Sequence, residues 1–178
     1  GRVMTRDKLL TSTVAVGKFA GLPIVSEIVN AVNTNKTMRK VIEKVGGIHS
    51  EAPLPKFERP SYRQAVSKTE KTLNDSVGRP RDEGTEQKVA LFVTCYGNQN
   101  SPSLVSDMQK VFEHNGIMLR VIKSDSCCGM PKFELGDLES VRVFADQNMA
   151  EMKELAEQGF VITAPIPSCV LMYRKELP

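Results

Sequence analysis

No stretch of the 178-residue chain stays apolar over the roughly 18 to 20 residues that a bilayer span needs. No charged-then-apolar leader opens it either. The expectation is a soluble, cytoplasmic protein. A dense Lys/Arg run with interleaved aromatics is also missing, so the patch that would neutralise phosphates is absent and no nucleic-acid partner is expected. Cysteine is scarce: four residues, two of them adjacent, which is not the dense framework of a disulfide-stapled secreted domain. Neither the paired Cys-x-x-Cys of zinc ribbons nor the Cys-x-x-Cys-x-x-Cys of ferredoxins occurs.

What is present is enough apolar residue, 40%, to bury a core of ordinary size. Charge divides unevenly: residues 1–87 hold 15 Lys+Arg against 10 Asp+Glu, and residues 88–178 hold 9 against 11. The first half is therefore the better match for an acidic partner.

Residues 5 to 46 read as amphipathic helices. Leu9, Leu10 and Val14 share one face, Pro23 opens a segment carrying Ile24, Ile28 and Val32, and Asn35 caps a third with Met38, Val41, Ile42 and Val45 before Gly46-Gly47. No cluster of catalytic residue types falls here, so a helical cap or packing arm is expected, with His49 beyond it outside any site. From Glu51 to Gln87, Pro53, Pro55, Pro60 and Pro80 punctuate a polar segment with linker chemistry and one short helix near Ser61 to Leu73. The expected organisation is a helical segment 1–50, a linker 51–87 and an α/β domain 88–178 that is one repeat of a larger protein.

In that last part, Lys88 to Thr94 is a nearly continuous apolar run, as expected for a strand buried on both faces. Ser101 and Pro102 open a helix with Leu104, Val105, Met108, Val111 and Phe112 in its stripe, ended by Asn115-Gly116. Ile117 to Ile122 reads as a second strand. A long helix follows Gly136, with Asp137 and Glu139 in its first turn and Leu138, Val141, Ala145, Met149 and Met152 on one face. Phe160 to Ala164 reads as a third strand, and Ser168 is the expected cap of a helix beginning at Cys169. Alternating strands and helices predict an α/β fold with a small parallel sheet, preceded by the helical segment and the proline-containing linker.

Ligands in such sheets gather beyond the carboxyl ends of the strands. Cys95 ends the first strand, Cys127 and Cys128 follow the second, and Cys169 follows the third, so sulfurs separated by 31 and by 40 residues are expected to meet. Cys127-Cys128-Gly129-Met130-Pro131 suits a tight loop rather than a helix or strand interior. Gly97, Gly129 and Gly136 would let backbone approach a guest, and Lys132 could offset thiolate charge. Four soft thiolates suit an iron–sulfur cluster or zinc. The duller alternatives are buried packing and a strained vicinal disulfide between Cys127 and Cys128. His114, near a helix carboxyl end, reads as a dipole partner, and Tyr96 and Asn98 as turn formers.

The motifs Thr94-Cys-Tyr-Gly-Asn98, Glu113-His-Asn-Gly-Ile117, Cys127-Cys-Gly-Met-Pro-Lys132, Glu134-Leu-Gly-Asp-Leu138 and Pro167-Ser-Cys-Val-Leu-Met172 together resemble a known family. This is the cysteine-rich CCG domain of iron–sulfur oxidoreductases similar to the B subunit of heterodisulfide reductase and the C subunit of anaerobic glycerol-3-phosphate dehydrogenase. The resemblance implies an electron-transfer module with Cys95, Cys127, Cys128 and Cys169 as ligands of a four-iron, non-cubane cluster or of a simpler metal site, and with Gly129 and Pro131 shaping the loop. It also implies other redox subunits or a flavin- or quinone-linked dehydrogenase as partners, a second cysteine-rich repeat, and a peripheral place at the inner membrane through a partner. The family pattern often ends in Cys-x-x-Cys, whereas Cys169 is followed by Val-Leu-Met172. With that thiol missing, a zinc-binding structural or assembly domain is the alternative.

Overall fold

The computed structural model describes residues 4–20, 22–69, 87–123 and 126–177. It opens with four helices, α1 (Thr5–Leu10), α2 (Thr13–Ala20), α3 (Pro23–Thr34) and α4 (Lys36–Gly46). Pro23 sits in the first turn of α3, where a missing N–H leaves no bond unmade. Asn35 serves two helices: its N–H donates to the Ala31 carbonyl, and its side-chain oxygen accepts from the N–H groups of Thr37 and Met38. Gly47, at φ 67°, ends α4 in the left-handed conformation that favours glycine. Buried Arg39 reaches out of α4 to the carbonyls of His49, Ser50 and Ala52 and folds the following loop against the helix.

Residues 53–58 run as a strap fastened on both sides. Asn30 and the Phe57 backbone exchange two hydrogen bonds, while Asn100 donates to the Lys56 carbonyl and the Glu58 N–H to the Gln99 carbonyl. Helix α5 (Tyr62–Thr69) follows; residues 70–73 of the helix expected there lie outside the described residues, as does Pro80.

Strand β1 (Lys88–Leu91) lies between β2 (Met118–Val121) and β3 (Phe160–Thr163), parallel to both, with Lys88 opposite Met118 and Phe160. The expected alternation of strand and helix is present: α6 (Cys95–Gln99) and α7 (Pro102–His114) connect β1 to β2. Helices α8 (Met130–Glu134) and α9 (Leu138–Glu157) connect β2 to β3, and α10 (Pro167–Leu171) runs into a π-helical turn at Met172–Glu176.

Alternate residues of a strand point to opposite faces, and the central strand fills two cores this way. Ala90 and Phe92 pack with Ile122, Val141, Met152, Leu155 and Met172. Leu91 and Val93 pack with Tyr62 and Val105.

Several sequence expectations shift. Leu104, Val111, Leu138 and Met149 are exposed rather than in a core stripe, because three short strands cover only part of each helix. Ser101 precedes α7 without a side-chain capping bond. The cysteine loop enters an unforeseen short helix, α8, started by left-handed Gly129 with Pro131 in its first turn. Cys169 lies inside α10, which Ile166 precedes and Pro167 opens, so Ser168 is not the cap. No helix among the described residues is long and apolar enough to cross a membrane.

Candidate metal centre

Each cysteine is presented by a different local device at the carboxyl edge of the sheet. Thr94 leaves the first strand with φ 69°, a conformation that costs a β-branched residue about 1–3 kcal/mol. Its buried hydroxyl oxygen accepts from the Gly97 N–H at 3.0 Å and so caps α6, whose first residue is Cys95. Gly97 is required by packing: a Cβ there would stand 2.8 Å from Val105 Cγ2. The room it provides goes to α7, not to a guest.

The Cys127-Cys128 pair is held from behind by Asn148 of α9, which is completely buried. Its side-chain oxygen accepts from the Ser126 N–H at 2.6 Å, and its amide nitrogen donates to the Cys127 carbonyl at 3.1 Å and to the Tyr173 hydroxyl at 2.6 Å. Gly129, at φ 92°, turns the chain into α8, and its N–H donates to Cys127 Sγ at 3.4 Å. Asp137, which caps α9, stands 3.4 Å from the Lys132 amine. Lys132 is thus engaged by a carboxylate. Asn98 accepts from the Arg63 N–H and anchors α5, and exposed Tyr96 faces a cavity. His114 lies in the last turn of α7, as expected of a dipole partner, and His49 stands 3.7 Å from Glu43; neither lines that cavity.

The four cysteines are free thiols, with Cys127, Cys128 and Cys169 buried and Cys95 half-buried. They form a row. Cys95 Sγ lies 3.9 Å from Cys127 Sγ, Cys127 interacts with Cys128, and Cys128 with Cys169. Hydrogen bonds from Cys128 and Cys95, aided by the Gly129 N–H, hold Cys127 far below the ordinary thiol range. A bond from Cys128 lowers Cys169 as well. The donors move the other way: Cys127 and burial push Cys95 up, and Cys127, Cys169 and burial push Cys128 up. Burial also raises Tyr173.

That cavity is mainly apolar, about 970 Å³ in volume, and its walls include Val16 and Phe19 of α2, Leu54, Tyr96, Met130 and Pro131. Four soft sulfurs in an apolar setting fit a thiolate-bound metal group by donor chemistry. Among the described residues, no three or more His, Cys, Asp or Glu side chains are arranged to hold a single ion.

A three-stranded parallel sheet that brings four cysteines to one edge defines a cysteine-rich α/β domain. Residues 89–174 match the model of the family described as the CCG cysteine-rich domain. The chain is similar to the C subunit of anaerobic glycerol-3-phosphate dehydrogenase of Escherichia coli, with 26% identity over 152 residues, covering 85% of this chain and 36% of that protein. It is also similar to lactate utilization protein A of Exiguobacterium sp. (34% identical over 86 residues; 48% of this chain, 34% of the relative) and of Bacillus pumilus (35% over 86 residues; 48% and 34%). The chain spans about a third of the length of these curated relatives. No solved structure matches it.

Asn148, Thr94 and Tyr173 are the site residues that the sequence did not reveal. Asn148 carried a faint signal, since it is a polar residue on the buried face of α9 beside Ala145 and Met152.

Proposed function

We propose that this chain is an iron–sulfur electron-transfer module of a heterodisulfide-reductase-like oxidoreductase, with Cys95, Cys127, Cys128 and Cys169 as ligands. The observation that carries this reading is the meeting of four thiols at the carboxyl edge of the sheet, where all of them line one apolar cavity. Among the described residues no three of these side chains are arranged around a single ion, which suits a group of several metal ions better than one tetrahedral ion. A bound cluster would supply reversible one-electron storage.

The chain's own residues provide the setting. Asn148 fixes the backbone on either side of Cys127, and the Gly129 N–H offsets charge on the Cys127 sulfur. Gly129 and Pro131 shape the loop and start α8. The mainly apolar cavity wall offers the sulfurs few competing polar partners. On this reading the helical segment 1–50 and the linker 51–87 precede a cysteine-rich domain 88–178. The partners are other redox subunits, such as a flavin- or quinone-linked dehydrogenase, together with a second cysteine-rich repeat. A cytoplasmic location, peripheral to the inner membrane through a partner, follows from the same resemblance. The name of the Escherichia coli relative, a dehydrogenase component, supports that assignment.

One observation favours a second reading. Met172 stands where the family often has another cysteine, and it is fully buried in the core rather than on the cavity. The Cys95–Cys127 separation of 3.9 Å is close to the ~3.8 Å edge of a tetrahedron built on zinc–sulfur bonds of about 2.3 Å. The alternative is a zinc-stabilised structural or assembly domain without redox turnover.

Anaerobic purification and reconstitution, followed by assay of iron, acid-labile sulfide and zinc per chain, separates the two. Iron with near-equal sulfide, and loss of the visible absorption in Cys128→Ser, are the expected results. Zinc near one per chain without sulfide, or an unchanged spectrum in Cys128→Ser, would overturn the assignment.

A further inference from the structure

Helix α2 belongs to the N-terminal segment, yet it forms part of the wall around the sulfurs. Its Gly17 is buried against α6, where a Cβ would meet Gln99 Cγ at 3.3 Å, so the two helices approach closely at this point. Thr13 lies four residues earlier, on the same face of α2. It lines the same cavity as Cys95 and Cys127.

The Thr13 hydroxyl oxygen is buried and has no hydrogen-bond partner among the described residues. A buried hydroxyl without a partner is unfavourable, and such orphans call for an explanation. The acceptors at hand are the sulfurs of Cys95 and Cys127, which share the cavity wall with Thr13 and stand within its reach.

We propose that Thr13 is a positioning residue of the cysteine centre, donating a hydrogen bond shared between the Cys95 and Cys127 sulfurs when these carry ligand charge. The inference rests on the reading of these cysteines as ligands. Its physical content is that a hydroxyl aimed at ligand sulfur stabilises the more negative, reduced state and raises the reduction potential. In the metal-free structure the same hydroxyl has no hydrogen-bond partner among the described residues. Removing it should therefore leave the fold of that form as stable or more so.

The test compares the full wild-type chain with Thr13→Val, which keeps the shape and removes the hydroxyl, and Thr13→Ser, which keeps the hydroxyl. Each is loaded with iron and sulfide and titrated potentiometrically under visible and EPR detection, and each is also unfolded by denaturant without metal. Thr13→Val is expected to lower the midpoint potential by about 59 mV, a tenfold change in a one-electron equilibrium, without lowering the denaturation midpoint of the metal-free chain. Thr13→Ser is expected to restore the wild-type potential. An unchanged potential in Thr13→Val, or an equal downward shift in Thr13→Ser, would overturn the role of the hydroxyl while leaving the cluster assignment intact. A drop in stability of metal-free Thr13→Val with no shift in potential would show a packing role only. A wild-type chain that takes up no iron and sulfide would remove the ligand reading and this inference with it.

Discussion

The central strand and the α3–α4 pair are made of similar apolar residues and end in opposite environments. Leu91, Phe92 and Val93 are sealed on both faces of the sheet, whereas Ile24, Ile28, Val41 and Val45 of the helices are exposed. The difference lies in what surrounds them. Strand β1 has two neighbouring strands and a helical layer on each side, while polar bonds fasten much of the N-terminal segment: Asn30 to the Phe57 backbone and Arg39 to three carbonyls. Apolar periodicity identifies the face that seeks cover, and tertiary structure decides whether the cover is there.

The largest expected effect comes from opening the sealed region. Phe92→Ala removes the largest fully buried side chain from the core beneath the cysteine edge. It should destabilise the chain by about 3–5 kcal/mol, the usual range for a buried Phe. Denaturant unfolding followed by circular dichroism would measure this. A loss below about 1 kcal/mol, the scale of a typical single substitution, would mean that the two regions are not as different as their burial suggests.

A smaller effect, centred on the site, is expected at Asn148. Asn148→Ala removes bonds to the Ser126 N–H, the Cys127 carbonyl and the Tyr173 hydroxyl and leaves these groups short of partners. The stability loss should be about 2–3 kcal/mol, since each stranded buried group costs about 1–3 kcal/mol but water can enter the new space. Thiol labelling should show faster modification of Cys127 than in the wild type at the same fraction folded. Unchanged labelling would make Asn148 a general core residue rather than the support of the cysteine loop.

Gly97→Ala comes next. Its Cβ would meet Val105 Cγ2 at 2.8 Å, too close to accept without movement of α6 or α7. Overpacking of this kind costs about 1–3 kcal/mol. The double variant with Val105→Ala should show a favourable coupling, because that substitution clears the obstructing methyl. Additive losses in the cycle would place the obstruction elsewhere.

How much of this was legible beforehand differs between the two regions in the same way. The β1 run, the strand–helix alternation and the arrival of the four cysteines at one edge follow from local pattern plus the geometry of parallel sheets, and the structure has all three. The helices from Thr5 to Gly46, the Asn35 cap and the Gly47 stop were likewise readable from local chemistry. What could not be read depends on contacts across long stretches of chain. Asn148 meets Cys127 over 21 residues and Tyr173 over 25, and Thr13 reaches the cysteines from a different segment. A polar residue in an apolar stripe or a threonine at a helix start has no signature of its partner. The strained Thr94 backbone was hidden for a related reason, since nothing local favours that conformation for a threonine.

The smallest effect should fall on the exposed helical face. Val45 is 86% exposed near the end of α4, and Val41 and Met38 beside it are also exposed. Exchanging Val45 for Ser should change the stability of the isolated chain by no more than about 0.5 kcal/mol, as for other surface substitutions that touch no cap or buried bond. Helix propensity does not enlarge this, because Val and Ser rank close together in helices. Denaturant midpoints measured at two protein concentrations would check it. A loss above about 1 kcal/mol exceeds what an uncovered surface residue can produce; if it grew with protein concentration, a second copy would be the cover, since association stabilises by mass action. The apolar periodicity of α4 would then have the same meaning as that of β1, and the contrast between the two regions would hold only for the isolated chain.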